Sequence, residues 1–152
     1  MPRNTNTLVY DYTTHRYYPT IDGAKKKLNI NLEYELNGNT EAEVFLTKAA
    51  DSVYRWLYSY IRKESIKIIE YRIANDFTGS DYGMPYRDGI EEAIYAQIEY
   101  MYNFDGDLQS LAENDRNRLV SHEVKSILKS YGLAHRGRYN QRITDEQYRV
   151  GY

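Results

Sequence analysis

Apolar residues fall at helical steps in three stretches of the chain. Leu46, Ala49, Val53, Leu57 and Ile61 recur every three or four positions, so they share one helix face, and Trp56 and Tyr60 widen it. Ile90, Ile94, Ile98 and Met101, with Tyr102, form a second stripe; Val120, Val124, Ile127, Leu128 and Tyr131 form a third. A further run, Ile66, Ile69 and Ile73 with Ile68 beside them, follows "RKES" and extends to about Asn75. It reads equally as a kinked continuation of the preceding helix or as a separate one. The stripes predict a single core to which Thr40, Val53, Leu57, Ile94, Ile98, Val124 and Leu128 contribute.

Local signals mark where these helices start and stop. Thr20 is placed to cap a short helix at Ile21–Leu28, whose lysines 25–27 read as a solvated face. Thr40 and Glu43 have the spacing of a capping box, in which two side chains satisfy each other's orphan amides. Pro85 fits a first helical position, and Ser121 fits the cap of the last helix. Gly132 stands where a left-handed C-cap is needed, with Leu133 able to fold back on the final turn.

Between the stripes, "NINLEYELNGN" breaks the pattern with a turn at 37–39, "NDFTGSDYGMP" reads as a loop, and "LQSLAENDRNR" has room for one helical turn. Residues 1–19 have no helical period and read as an extended arm with one short strand at Thr7–Tyr12. The predicted fold is all-α. It is a small bundle of four to five helices over residues 20–133, with an N-terminal arm (1–19) and a C-terminal tail (134–152).

Composition narrows the function more than the fold. A chain of 152 residues is one domain by length, and a net charge of -2 gives no overall pull towards nucleic acid or anionic membrane. With no cysteine, disulfide scaffolds and thiolate sites are excluded, and a reducing cytosol suits the chain. No apolar run is long enough to span a bilayer and none resembles a signal peptide, so neither a membrane anchor nor that route of secretion is expected. Eighteen tyrosines stand against three phenylalanines and one tryptophan. Tyrosine suits both the border of a small core and an interface between subunits, and composition leaves both open.

Catalytic chemistry finds no support. His15, His122 and His135 lie in an arm, an early helix turn and a tail, and Ser121 beside His122 is a cap rather than half of a dyad. Carboxylates at Glu41/Glu43 and Glu91/Glu92 fall in first helical turns, where they complement the helix dipole, and Asp105/Asp107 lack the spacing of a calcium loop. The glycines are scattered singly, so no phosphate-cradling loop is expected. The expectation is a protein that is not an enzyme, with no metal and no cofactor.

Concentrated basic character is confined to the tail. Arg136, Arg138, Arg142 and Arg149 against Asp145 and Glu146 leave it at +2, so residues 1–133 carry -4. Arginine interleaved with Tyr139, Tyr148 and Tyr152 can grip an acidic protein surface through forked hydrogen bonds and aromatic anchors, or nucleic acid through phosphates and stacking. A solvated terminus is the plainer reading, though such tails seldom carry so many aromatics.

Taken in order, four segments resemble the phage head–tail connector (adaptor, or head-completion) family. They are "IDGAKKKLNIN", "EAEVFLTKAADSVYRWLYSYI", "MPYRDGIEEAIYAQIEYMYNFDGD" and "VKSILKSYGL", and the likeness covers Ile21 to Tyr139. The linker "LEYELNGN" and the run 64–75 depart from the family pattern. The resemblance implies a structural virion protein, made in the host bacterial cytoplasm and placed at the portal–tail junction. It implies a homo-oligomeric ring, usually of twelve copies, under the portal protein, with a stopper or tail-completion protein on the distal face. Genomic double-stranded DNA would pass through the channel without sequence-specific binding.

On that reading Arg136, Arg138, Tyr139, Arg142, Tyr148, Arg149 and Tyr152 dock the portal, and Asp76, Asp81, Asp105 and Asp107 lie near the channel or the distal face. The alternative is a small helical nucleic-acid-binding or regulatory protein using the Arg/Tyr-rich tail. The acidic body disfavours it, since no helix carries a basic recognition face.

Overall fold

The computed structural model describes residues 5–36, 38–78, 84–103 and 120–135. It is mostly helical, but the all-α expectation is corrected at the N-terminus. There the predicted arm is a β-hairpin: β1 (Leu8–Asp11) pairs antiparallel with β2 (Arg16–Pro19), Leu8 opposite Pro19 and Asp11 opposite Arg16. The hairpin turn needs no glycine. Asp11 accepts a hydrogen bond from the Thr13 N–H at 2.8 Å, an Asx turn, and His15 takes the left-handed conformation at φ 57°. A two-stranded hairpin is marginal alone. This one is held from below: the Tyr17 N–H donates to the Tyr54 hydroxyl at 2.9 Å, and the Tyr95 hydroxyl donates to the Thr7 carbonyl at 2.6 Å.

The first helix, α1 (Ile21–Leu28), begins as predicted, with Thr20 accepting from the Gly23 N–H at 2.9 Å, and ends on Asn29 at φ 57°. The short α2 (Leu32–Glu35) was not foreseen; Asn31 caps it through the Tyr34 N–H, and Leu32 is buried.

The long α3 (Asn39–Tyr60) corrects the capping box. Its N-cap is Gly38, at φ 147°, whose carbonyl accepts from Ala42 and whose N–H donates to the Glu33 carbonyl. Glycine reaches that conformation without strain and is an adequate N-cap, so the helix starts upstream. Thr40 therefore lies inside the first turn, exposed along with Glu43, and takes no part in the core.

The open question at 64–75 resolves as a separate helix. Ile61 turns extended (ψ 167°), a short 3-10 turn spans Lys63–Ser65, and α4 runs Ile66–Ala74. In α5 (Tyr86–Asn103), Pro85 precedes the helix and does not open it. It sits in an isolated bridge with Thr78, and its carbonyl accepts from Asp88 at 3.1 Å and Gly89 at 3.4 Å. The Tyr86 N–H is already taken by the Phe77 carbonyl at 2.8 Å, which fixes the entry of the chain.

The last helix, α6 (His122–Ser130), has both predicted ends. Ser121 accepts from the Val124 N–H at 3.2 Å. At the other end Gly132 is left-handed (φ 81°), its N–H bonds the Lys129 carbonyl, and the Leu133 N–H bonds Leu128 at 2.9 Å, a complete Schellman stop.

Helix α5 is central, packing on α6, α3, α4 and α1. Val53, Leu57, Ile94, Ile98, Val124 and Leu128 are all fully buried in the one core, as the stripes require. Helix α5 comes close to the end of α6 at Gly89, where an added Cβ would stand 2.6 Å from Tyr131 Cγ and 2.8 Å from its Cβ. Those atoms are the root of the side chain, so α6 itself would have to move. Gly89→Ala is expected to lower the melting temperature by several degrees, since overpacking costs about 1–3 kcal/mol and helix propensity returns at most about 1 kcal/mol. A thermal melt followed by circular dichroism checks this; an unchanged or higher midpoint would contradict the close approach.

Candidate interaction surfaces

A cleft of about 490 Å³ opens between the hairpin and the N-terminal parts of α1, α2 and α3. Four carboxylates stand around it, Asp11, Asp22, Glu33 and Glu43, and among the described residues no lysine, arginine or histidine lines it. Val9, Ile21 and Leu46 supply its apolar surface. Local structure sets each of these. Alternation along β1 turns Leu8 and Tyr10 inward and leaves Val9 44% exposed. The Thr20 cap puts Asp22 in the first turn of α1, where negative charge suits the dipole. The Gly38 turn sets the start of α3 beside α2. Lys25 reaches Glu33 at 3.5 Å. Among the described residues no basic group pairs with Asp11, Asp22 or Glu43.

A second surface follows the seam of α3 and α6. Trp56 and Tyr60 stack with centroids 4.9 Å apart, and Lys125 and Lys129 stand over them at 5.6 and 5.3 Å. These rings are covered by cations from the same chain, so they join helices rather than offer a free aromatic face.

Beneath the hairpin the polar groups are structural. Arg87, 2% exposed, lies over the Tyr17 ring, donates to Thr5 Oγ1 at 3.1 Å, and pairs with Glu91 and Asp88 at 3.7 Å. Glu91 also accepts from the Thr7 hydroxyl and meets Lys27 at 3.5 Å, so one charge network ties the segment entering β1 to α1 and α5. Beside it Tyr10, Tyr17, Tyr54 and Tyr58 pack edge to face or tilted, with Arg16 over the last two. Much of the unusual tyrosine content thus borders this core, while Tyr12 and Tyr34 remain 62% and 78% exposed.

Burial holds several of these hydroxyls in the protonated form. Burial raises Tyr54 and Tyr58 well above the ordinary tyrosine value, and it pushes Tyr95 up to about 12. Tyr131 is also raised to about 12, chiefly by its hydrogen bond to Glu92 and then by burial. In the unfolded chain these groups titrate near 10, the ordinary value of tyrosine. Their contribution to stability is complete below pH 10 and is lost as pH rises towards and through 12, because the unfolded state then holds fewer protons. The melting midpoint is expected to be flat from pH 8 to 9.5 and to fall steeply above 10. Tyr131→Phe should flatten part of that fall; a slope identical to wild type would remove Tyr131 from it.

The sequence-predicted sites are only partly in view. Arg136, Arg138, Tyr139, Arg142, Tyr148, Arg149 and Tyr152 lie outside the described residues, as do Asp81, Asp105 and Asp107. Asp76 follows α4 in the left-handed conformation (φ 60°), half-buried. His15 in the hairpin turn, His122 at the start of α6 and His135 just beyond its end are all exposed. Among the described residues no cluster of three or more His, Cys, Asp or Glu could hold a metal, and no helix is long and apolar enough to cross a membrane. The cleft was not anticipated. Glu43 reads from sequence as a first-turn charge, and nothing in the spacing of Asp22 and Glu43 shows that a hairpin brings Val9 and Asp11 beside them. Comparison with protein families, curated proteins and solved structures returns no match to this chain.

Proposed function

We propose that this chain is a structural connector of a tailed phage. Its copies form a ring, of twelve by family likeness, beneath the portal protein, extend the DNA channel, and receive a stopper or tail-completion protein on the far side. The resemblance of the helical segments motivates the reading, and one observation carries it. Among the described residues the Leu133 and Ala134 N–H groups bond back onto the end of α6, immediately before a segment in which arginine and tyrosine are interspersed. That division suits a rigid ring component with a separate docking element, since arginine and tyrosine dominate interface energies. The net -4 of residues 1–133 also suits a channel wall past which DNA must slide without sticking. On this reading Asp76, with Asp81, Asp105 and Asp107, faces the channel or the distal partner, and the chain needs neither catalysis nor cofactor.

The test is imaging of assembled particles together with the mass of the complex, with and without portal. A ring of this chain on the portal–tail axis is expected. A lone copy, or density away from that axis, would refute the proposal. Tight binding of the purified chain to one duplex sequence over another would favour the regulatory alternative.

A further inference from the structure

We infer that the acidic cleft is a docking groove for the chain's own C-terminal segment, residues 136–152, until a partner takes that segment away. The inference goes beyond the connector reading and stands whether or not a portal is that partner.

The cleft has the chemistry of a groove for a basic, aromatic strand. Its apolar surface is Val9, Ile21 and Leu46, its rim is four carboxylates, and only Glu33 has a basic partner among the described residues. Two more of the large exposed apolar side chains, Tyr34 and Val44, are sequence neighbours of the rim residues Glu33 and Glu43. Exposed apolar side chains thus occur in the same short stretches of chain as the rim carboxylates. The α3–α6 seam shows the contrast, since its aromatic rings already carry Lys125 and Lys129.

The occupant is argued from charge and reach. Residues 136–152 hold four arginines, three tyrosines and two acids, the complement of a four-carboxylate groove. The segment leaves the body after α6, whose last turn lies beside Tyr60. From Tyr60 back to Glu43 along α3 is about 26 Å at the helical rise. Seventeen residues can extend to about 56 Å, so the segment reaches the cleft of its own molecule with length to spare. A tethered segment that can span the gap meets its site at an effective concentration near millimolar, above that of any second copy at ordinary protein concentrations.

The test uses full-length protein and a fluorescein-labelled synthetic peptide of residues 136–152, followed by anisotropy at low salt. One variant neutralises the tail (Arg136→Gln, Arg138→Gln, Arg142→Gln and Arg149→Gln); another adds Asp22→Asn and Glu43→Gln to it. Asp22 and Glu43 are exposed, so these changes leave the fold intact, and Glu99→Gln in the same background is the control.

The tail variant should bind the peptide at least about tenfold more tightly than wild type, whose cleft is occupied. Adding Asp22→Asn and Glu43→Gln should weaken binding about tenfold, as should moderate salt, while Glu99→Gln should not. Amide resonances of Val9, Asp22 and Glu43 should differ between wild type and the tail variant. No binding by the tail variant would overturn the groove. Equal binding by wild type and tail variant would overturn its occupation by the chain's own tail. A wild-type mass that doubles with concentration, while the tail variant stays monomeric, would assign the groove to a second copy and overturn the proposal.

Discussion

On the connector reading, a chain ending at His135 is expected to keep its helical signal, to melt only a few degrees lower through loss of the tail's contact with the cleft, and yet to fail to join portal-bearing capsids. The stability half follows from where the body closes. The N–H groups of Gly132, Leu133 and Ala134 all bond back into the last turns of α6, and Leu133 and Ala134 are buried at 0% and 7% exposure. Ala134, read from sequence as the start of the tail, therefore belongs with the packed body, and the cut is placed beyond it. The functional half follows from residue type, because the arginines and tyrosines suited to anchor an interface are removed together. An extended segment can also add a strand to a neighbour's sheet edge, which a truncated chain cannot do. The readout is occupancy on purified heads, with heads that lose DNA or never acquire tails as the consequence. Docking of the truncated chain at wild-type occupancy would move the portal contact onto the helices.

The largest stability effect is expected at Leu57. Its side chain is fully buried in the last turn of α3, in the one core shared with α5 and α6. Leu57→Ala removes buried methyl groups and leaves a cavity that packed helices close only in part, a cost of about 2–5 kcal/mol. For a chain of this length that lowers the melting midpoint by about 4–20 °C. Val44→Ala on the same helix, at a site 45% exposed, should stay within about 0.5 kcal/mol of wild type. A thermal melt unchanged by Leu57→Ala would take Leu57 out of the core and undo the bundle described above. The pair of substitutions separates burial from helix propensity, since both put alanine into α3.

What the sequence determines by itself is whatever is encoded within a few turns of chain. The stripes of α3, α5 and α6 are legible because a helix repeats every 3.6 residues, so burial of one face writes a period into the sequence. The Thr20 and Ser121 caps and the Gly132-Leu133 stop are legible because each satisfies orphan backbone groups with side chains or dihedrals one to five residues away. Tertiary structure decides the rest. Tyrosine has both an apolar ring and a polar tip, so Tyr17, buried, and Tyr18, half-buried, look alike in sequence. The alternation that would reveal β2 is erased, and the hairpin exists because α3 and α5 supply Tyr54 and Tyr95 to hold it. Thr40 loses its cap because Gly38 turns the chain first, guided by a bond to Glu33 across the turn from α2. The acidic cleft is farthest from sequence reading. Asp11, Asp22, Glu33 and Glu43 come from four elements, and only the packing of a hairpin against three helix starts makes them neighbours.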